Sequence, residues 1–257
     1  MALKYYHAEP LANSLKSLIP LKEKGLAYES VYVDLHKFEQ HSDWFVAINP
    51  EGQVPVLDHD GTIITHTTVI NEYLEDAFPD ANPESGPLRP RDAVGAARMR
   101  YWNKFVDEHV MNHVSMHGWH RLVGVIARNI QSGEFEKLME HVPLPDQRKK
   151  WMTARSGFSQ QDLDNATEKI VYALEKVERQ LGQTRFLAGD AYSLADINFY
   201  SHCGLMVNRM FPDLNVDESY PALVRWRETI SARPAVAEAL ASEDRTAPGL
   251  RTWSGAR

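Results

Sequence analysis

Residues 53–78, QVPVLDHDGTIITHTTVINEYLEDAF, hold the pattern on which the fold turns. QVPVLDHDGTIIT reads as two short strands around Asp60-Gly61, a dipeptide that supplies the tight turn of a β-hairpin. TTVINEYLEDAF then sets Val69, Ile70, Tyr73, Leu74 and Ala77 at helical spacing, so an amphipathic helix follows the hairpin. Upstream, LKYYH (3–7) reads as a strand and Ser14 to Lys24 as a helix closed by Gly25, a preferred residue just past a helix end. YESVYVD (28–34) alternates apolar and polar residues and reads as a second strand. A βαβ unit followed by ββα makes a compact α/β module.

The grammar changes at PDANPESGPLRPRD (79–92), where four prolines and a glycine crowd a short span and read as a linker. Beyond it the chain reads as helix. Met99, Trp102, Val106, Val110 and Val114 form one periodic stripe, and Ile170, Ala173, Leu174 and Val177 another. PLPDQRKKWMTARSGFSQ (143–160) breaks the period, which predicts an irregular insertion over about 132–160. The expected organisation is an α/β domain over 1–79, a linker over 80–90 and an all-helical domain over 91–257.

The chain has 257 residues and a formal charge of −7, which offers no basic field to nucleic acid. No apolar run reaches the length of a membrane span, and MALKYYHAEP has no signal-peptide core. A single cysteine, Cys203, excludes an internal disulfide framework and fits a reducing cytoplasm. A lone helical cysteine reads as core filler rather than as a catalytic thiol.

Two features carry candidate chemistry, and a third is structural. In EPLANSLKSLIP (9–20), Asn13-Ser14 precedes a helical run; it reads either as a helix cap or as a hydroxyl and amide aimed at a reacting group. His109, His113, His117 and His120 recur at spacings of four, four and three and so share one helix face. That face is metal-binding, a wet polar surface, or the lining of a substrate pocket; no carboxylate–histidine signature or thiolate supports the metal. Ser193-Leu194-Ala195-Asp196 forms a capping box in the broad sense, with a structural role.

Taken in order, the Ser-bearing helix start, Val54-Pro55 ahead of a strand, and AGDAYSLADINFYS (188–201) resemble the cytosolic glutathione S-transferases. Nearly the whole chain is covered by that resemblance. It implies a thioredoxin-like N-terminal domain, an all-α C-terminal domain, and glutathione as co-substrate without a metal. KFEQHSDWFVAINPEGQVPVL (37–57) and the insertion around PLPDQRKKW are closer still to the bacterial glutathione-dependent β-etherases of lignin breakdown.

The resemblance implies roles for individual residues. Gln53, Val54 and a cis Pro55 would pair with the cysteinyl backbone of glutathione, and Gln40 and His41 would grip its glycine end. Thr67 opens a helix whose N-terminal N–H groups suit the γ-glutamyl carboxylate. The chain departs from the pattern at His66, where the family carries Glu or Asp and a carboxylate would meet the γ-glutamyl ammonium. Either glutathione binds more weakly or another acid substitutes; Asp107 is the candidate, reaching the site from its own helix or across a dimer.

Ser14, with Asn13 beside it, would donate a hydrogen bond to the glutathione thiolate. His7 and Pro10 would line the aromatic substrate's pocket, Met116, Trp119 and Met206 would touch its ring, and His113 or His117 would donate the proton. A homodimer or a heterodimer with a paralogue is expected. The rival readings are general conjugation or dehalogenation of xenobiotics, and a weakly catalytic subunit serving as a binding or dimer partner.

Overall fold

The computed structural model describes residues 2–82 and 84–241. Strand β1 (Leu3–His7), helix α1 (Ala12–Glu23) and strand β2 (Glu29–Tyr32) come first. Two 3-10 turns (Leu35–Lys37 and Glu39–His41) and the short helix α2 (Asp43–Val46) lead to β3 (Val56–His59), β4 (Thr62–Thr65) and α3 (Thr67–Ala77). The sheet order is β2-β1-β3-β4, with β1 and β2 parallel and the other two pairs antiparallel. A parallel pair needs a crossover, which α1 supplies; the β3–β4 pair needs only a turn. Asp60 and Gly61 make that turn with φ of 51° and 87°, and Asp58 Oδ1 accepts the Gly61 N–H at 2.7 Å.

Helix α4 (Ala93–Phe105) runs through a π turn (Val106–Val110) into α5 (Met111–Gly118), and through a second π turn (Trp119–Val123) into α6 (Gly124–Asn129). Then come α7 (Ser132–Glu140), α8 (Pro145–Ser156), the long α9 (Gln160–Leu181) and the buried α10 (Leu194–Phe199), which continues into a third π turn (Tyr200–Gly204). Four helices finish the described chain: α11 (Val207–Met210), α12 (Val216–Ser219), α13 (Pro221–Ser231) and α14 (Pro234–Ala241). The rest of the expected helical domain, beyond residue 241, lies outside the described residues.

Both sequence stripes are buried. They join one core that crosses the two halves: Leu15, Ile19, Ile70 and Leu74 pack in the same cluster as Met99, Val106, Leu174 and Ile197. Shared apolar packing therefore sets how the halves sit together, since each such side chain gains roughly 1.5–3 kcal/mol by leaving water. The linker is tied into this core through fully buried Leu88, whose carbonyl accepts the Leu194 N–H at 2.8 Å.

Two expectations change. The insertion is helical: α7 and α8 occupy most of 132–160. Each buries only a sparse pair, Phe135 with Met139 and Trp151 with Ala154, and Pro145 opens α8 at a position where its missing N–H costs nothing. The charged run between them hides that period. Trp151 meets Phe38 of the N-terminal module at 4.6 Å, so a second, smaller core forms there.

The other change concerns Asn13-Ser14, which is no helix cap. α1 starts at Ala12 behind Leu11, and no side chain caps it.

Candidate active site

Between β1 and α1 the chain turns sharply: the Leu11 N–H meets the Glu9 carbonyl at 2.7 Å, and Ala12 adopts φ of 44°. Ser14 is the third residue of α1, within its first turn. Its Oγ accepts the Ala8 N–H at 3.1 Å and its carbonyl accepts the Tyr5 hydroxyl at 2.6 Å, so its hydroxyl ties the loop to the helix. Only 4% of Ser14 is exposed. Asn13, half-buried beside it, lines a cavity of about 310 Å³.

That cavity gathers most of the residues expected to hold glutathione. Gln53, Val54 and Pro55 form one wall, with the Val54–Pro55 bond cis. His66, Thr67 and Thr68 form another at the start of α3, a helix N-terminus with free N–H groups. Asp107 and Met111 reach in from the long helical run. Glu51 also lines it, a carboxylate that the sequence reading missed. Its position two residues before Gln53 was the available signal.

Asp107 enters from its own chain and is already engaged. Lys16 Nζ, on a side chain 2% exposed, donates to Asp107 Oδ1 and to Thr68 Oγ1, both at 2.7 Å. The Thr68 hydroxyl donates to Asp107 Oδ2, and Asn198 Nδ2 donates to Oδ1 at 3.0 Å. Burial pushes the Asp107 carboxyl up, but the Lys16 ammonium and the hydrogen bonds from Thr68 and Asn198 outweigh it and hold it below its ordinary range. Glu51 is less committed: Oε2 lies 3.6 Å from His66 Nε2, and both side chains are well exposed.

Gln40 and His41 do not line this cavity. They are buried behind it, and among the described residues Gln40 Oε1 and His41 Nδ1 have no hydrogen-bond partner. Gly52 lets His41 approach: a Cβ there would stand 2.6 Å from His41 Nδ1, and the φ of 62° suits glycine. Burial pushes the His41 imidazole down to about 4, so it is neutral at pH 7 and offers no positive charge to a carboxylate.

The histidine face turns away from the cavity. His109 Nε2 lies 3.3 Å from the Lys169 carbonyl, and His117 Nε2 lies 3.2 Å from both the Leu163 carbonyl and Thr167 Oγ1, all on α9. His117 also packs edge-on to Phe211 at 4.5 Å, His113 Nδ1 contacts the His109 carbonyl, and His120 faces Phe158. The reason is angular. Asp107 and Met111 line the cavity, and histidines two residues on from each stand roughly 160° round the helix at 100° per residue. His109 and His117 brace α9, and none of the four histidines lines the cavity, against the expectation of His113 or His117 as proton donor.

His7 is a packing residue as well. It stacks on Tyr5 at 5.1 Å, with Nδ1 and Nε2 each 2.6 Å from an oxygen, of Ala8 and of Ser30. Trp119 stands against Trp151 at 5.0 Å and under the Lys150 ammonium at 4.8 Å, within the smaller core rather than free for a ligand. Met206 packs against the main core. Pro10 and Met116 are half-buried and do not line the cavity. Among the described residues no group of three or more His, Cys, Asp or Glu side chains is placed to hold a metal.

A four-stranded mixed module with a cis-proline wall, joined to a helical half that lends a carboxylate to its cavity, defines a class. The glutathione S-transferase N-terminal domain matches residues 1–76 and the C-terminal domain residues 144–234, so the chain belongs to the glutathione S-transferase family. Within it, Protein LigF of Sphingobium sp. strain SYK-6 is 47% identical over 93% of each chain. The crystal structure of that protein, a beta-etherase, superposes with a TM-score of 0.88 at 44% identity, covering 93% of this chain and 98% of LigF. Plant relatives are more distant. Glutathione S-transferase 3 of Zea mays is 26% identical over 93% of this chain and 94% of its own. Glutathione transferase F7 of Populus trichocarpa superposes at 0.72, with 26% identity over 93% of this chain and 99% of that one.

Proposed function

We propose that this protein is a glutathione transferase of the β-etherase type, acting on lignin-derived β-aryloxy ketones. What carries the reading is its full-length kinship at 47% identity with a beta-etherase. Glutathione's thiolate attacks the carbon that bears the aryloxy group beside the ketone. A carbon–sulfur bond forms, the carbon–oxygen bond breaks with its electron pair on oxygen, and a phenolate leaves. A phenol pKa of about 10 makes this a passable leaving group, so the reaction does not depend on a histidine donor.

The residues present fit glutathione. The Val54 main chain beside Pro55 suits the cysteinyl backbone, and the start of α3 suits the γ-glutamyl carboxylate. The γ-glutamyl ammonium falls to Glu51, because Asp107 is neutralised by Lys16. Glu51→Gln is therefore expected to raise the glutathione KM about five- to tenfold with kcat little changed, the signature of lost uniform binding. An unchanged KM would remove Glu51 from the site.

Asn13 rather than Ser14 is the donor to the sulfur. A thiol with an ordinary pKa of about 8.5 is a weak nucleophile at pH 7, and a donated hydrogen bond favours its ionised form. Asn13 lines the cavity, whereas the Ser14 hydroxyl is turned to the Ala8 N–H. Glutathione-dependent phenol release tests the choice. Asn13→Ala is expected to lower kcat about 10- to 100-fold, the equivalent of roughly 1–3 kcal/mol for a bond to a charged group. Ser14→Ala is expected to cost about threefold or less; the reverse ranking would return the role to Ser14.

The enzyme is read as cytoplasmic, with a small aromatic substrate, and as a homodimer or a heterodimer with a paralogue. Its lone cysteine is buried, and exposed Val69, Val94, Tyr101 and Tyr172 on α3, α4 and α9 offer apolar surface for a second subunit.

A further inference from the structure

The side chain of Asn13 does not stand alone at the cavity. His202, on the π turn after α10, brings Nε2 to 3.0 Å from Asn13 Oδ1, joining residues 189 apart in sequence. Four residues earlier, Asn198 sends Nδ2 to Asp107 Oδ1 at 3.0 Å, and its carbonyl lies 3.1 Å from His202 Nδ1. One helical turn thus touches both ends of the glutathione site: Asn13 at the sulfur end and Asp107 beside Thr68 at the γ-glutamyl end.

The histidine faces two oxygens with two ring nitrogens. The charged groups facing it are Lys16 of α1 and Asp107, which are paired with each other. Burial first, then the Lys16 charge, pushes the imidazole down to about 4, so at pH 7 it carries one N–H and not two. With the proton on Nε2, the ring donates to Asn13 Oδ1 and the amide N–H groups of Asn13 remain for the cavity. With the proton on Nδ1, the ring donates to the Asn198 carbonyl, and Asn13 must turn its amide nitrogen to Nε2 and its oxygen to the sulfur. An oxygen there would repel a thiolate. The tautomer therefore decides which pole of the amide meets the nucleophile.

We propose that His202 is a positioning residue which, as the Nε2–H tautomer, holds the Asn13 carbonyl and so turns the Asn13 amide N–H groups toward the glutathione sulfur. This rests on the reading of Asn13 as the sulfur's donor. The π turn supports it: among the described residues another π turn carries Asp107 into the same cavity, and such turns are frequent at functional sites.

The test measures the pKa of enzyme-bound glutathione by ultraviolet absorbance of the thiolate, together with kcat and KM, in four purified full-length variants. His202→Phe keeps a ring but loses the donor; it is expected to raise the bound-thiol pKa by about one unit, lower kcat about tenfold at pH 7 and leave the glutathione KM within about twofold. His202→Gln, whose amide N–H can still donate, is expected to restore most of the loss. Asn13→Ala is expected to match His202→Phe, and the double variant to be no worse than Asn13→Ala alone.

If Asn13→Ala raises the thiol pKa and His202→Phe does not, the proposal is overturned while Asn13 keeps its role. A thiol pKa unmoved by Asn13→Ala overturns the donor assignment and the proposal with it, leaving ether cleavage intact. Nitrogen-15 shifts of the His202 ring in the unaltered protein give a reading independent of any variant's folding. A protonated Nε2 supports the proposal and a protonated Nδ1 contradicts it.

Discussion

Asp107→Ala is expected to destabilise the protein by about 3–5 kcal/mol, because it strands the buried Lys16 ammonium without its counter-charge. The same change removes the acceptor for the Thr68 hydroxyl and the Asn198 amide, so the start of α3 loosens and the glutathione KM rises. Chemical denaturation reads the first effect and steady-state kinetics the second. Asp107→Asn keeps an acceptor for Lys16 and is expected to lose less. Lys16→Met combined with Asp107→Ala should recover much of the stability, since an apolar replacement leaves no stranded charge. Stability within about 1 kcal/mol of the unaltered protein for Asp107→Ala alone would show that Lys16 finds other partners or water. The pH sign follows from the lowered carboxyl: the Asp107 carboxylate's own contribution is full above the ordinary carboxyl value of 3.8 and is lost as pH falls through the still lower folded value, while burial lowers Lys16 and works against the pair.

Asp196→Ala has a comparable cost by a different route. The carboxylate is fully buried and accepts the Leu187 N–H at 3.0 Å, the Trp226 indole N–H at 2.8 Å, and the Ser193 N–H and hydroxyl at 3.0 and 3.1 Å. Removing it orphans three buried N–H donors at about 1–3 kcal/mol each, offset in part because burying the charge is itself unfavourable. A net loss of about 3–5 kcal/mol, or roughly 10 °C in Tm, is expected. Asp196→Asn should recover only part, since its amide nitrogen would face the Ser193 N–H. Burial raises the Asp196 carboxyl to about 6, against the hydrogen bonds that lower it. The ionisation-linked part of this group's stability is therefore full below the ordinary value of 3.8 and is lost as pH rises through about 6, the reverse of Asp107, while its hydrogen bonds remain. A Tm unchanged in Asp196→Ala would show that the capping box is dispensable.

How far the sequence could be read followed the physics of each signal. The β3–β4 turn, the Asp196 capping box and the two long stripes are local, periodic patterns, and the structure places them where the residues indicate. The helices of the insertion escaped because each buries two residues among charges, too few to raise a period. The histidine face was legible as a face, but its direction was not: spacing shows which residues share a side, not what that side meets. The cavity's Val54-Pro55 and Thr67 walls came from motif resemblance. Glu51 had only its place two residues before Gln53 to mark it, and the Asn13–His202 contact lay beyond reach, since it joins residues 189 apart.

The most direct test of the proposed chemistry is to incubate the purified protein with glutathione and each enantiomer of a β-aryloxy ketone, quantifying free phenol and glutathione thioether. One phenol released per glutathione consumed is expected, with at least one enantiomer. Conjugation of other electrophiles with no phenol from either enantiomer, from the protein alone or with a paralogue, would contradict it.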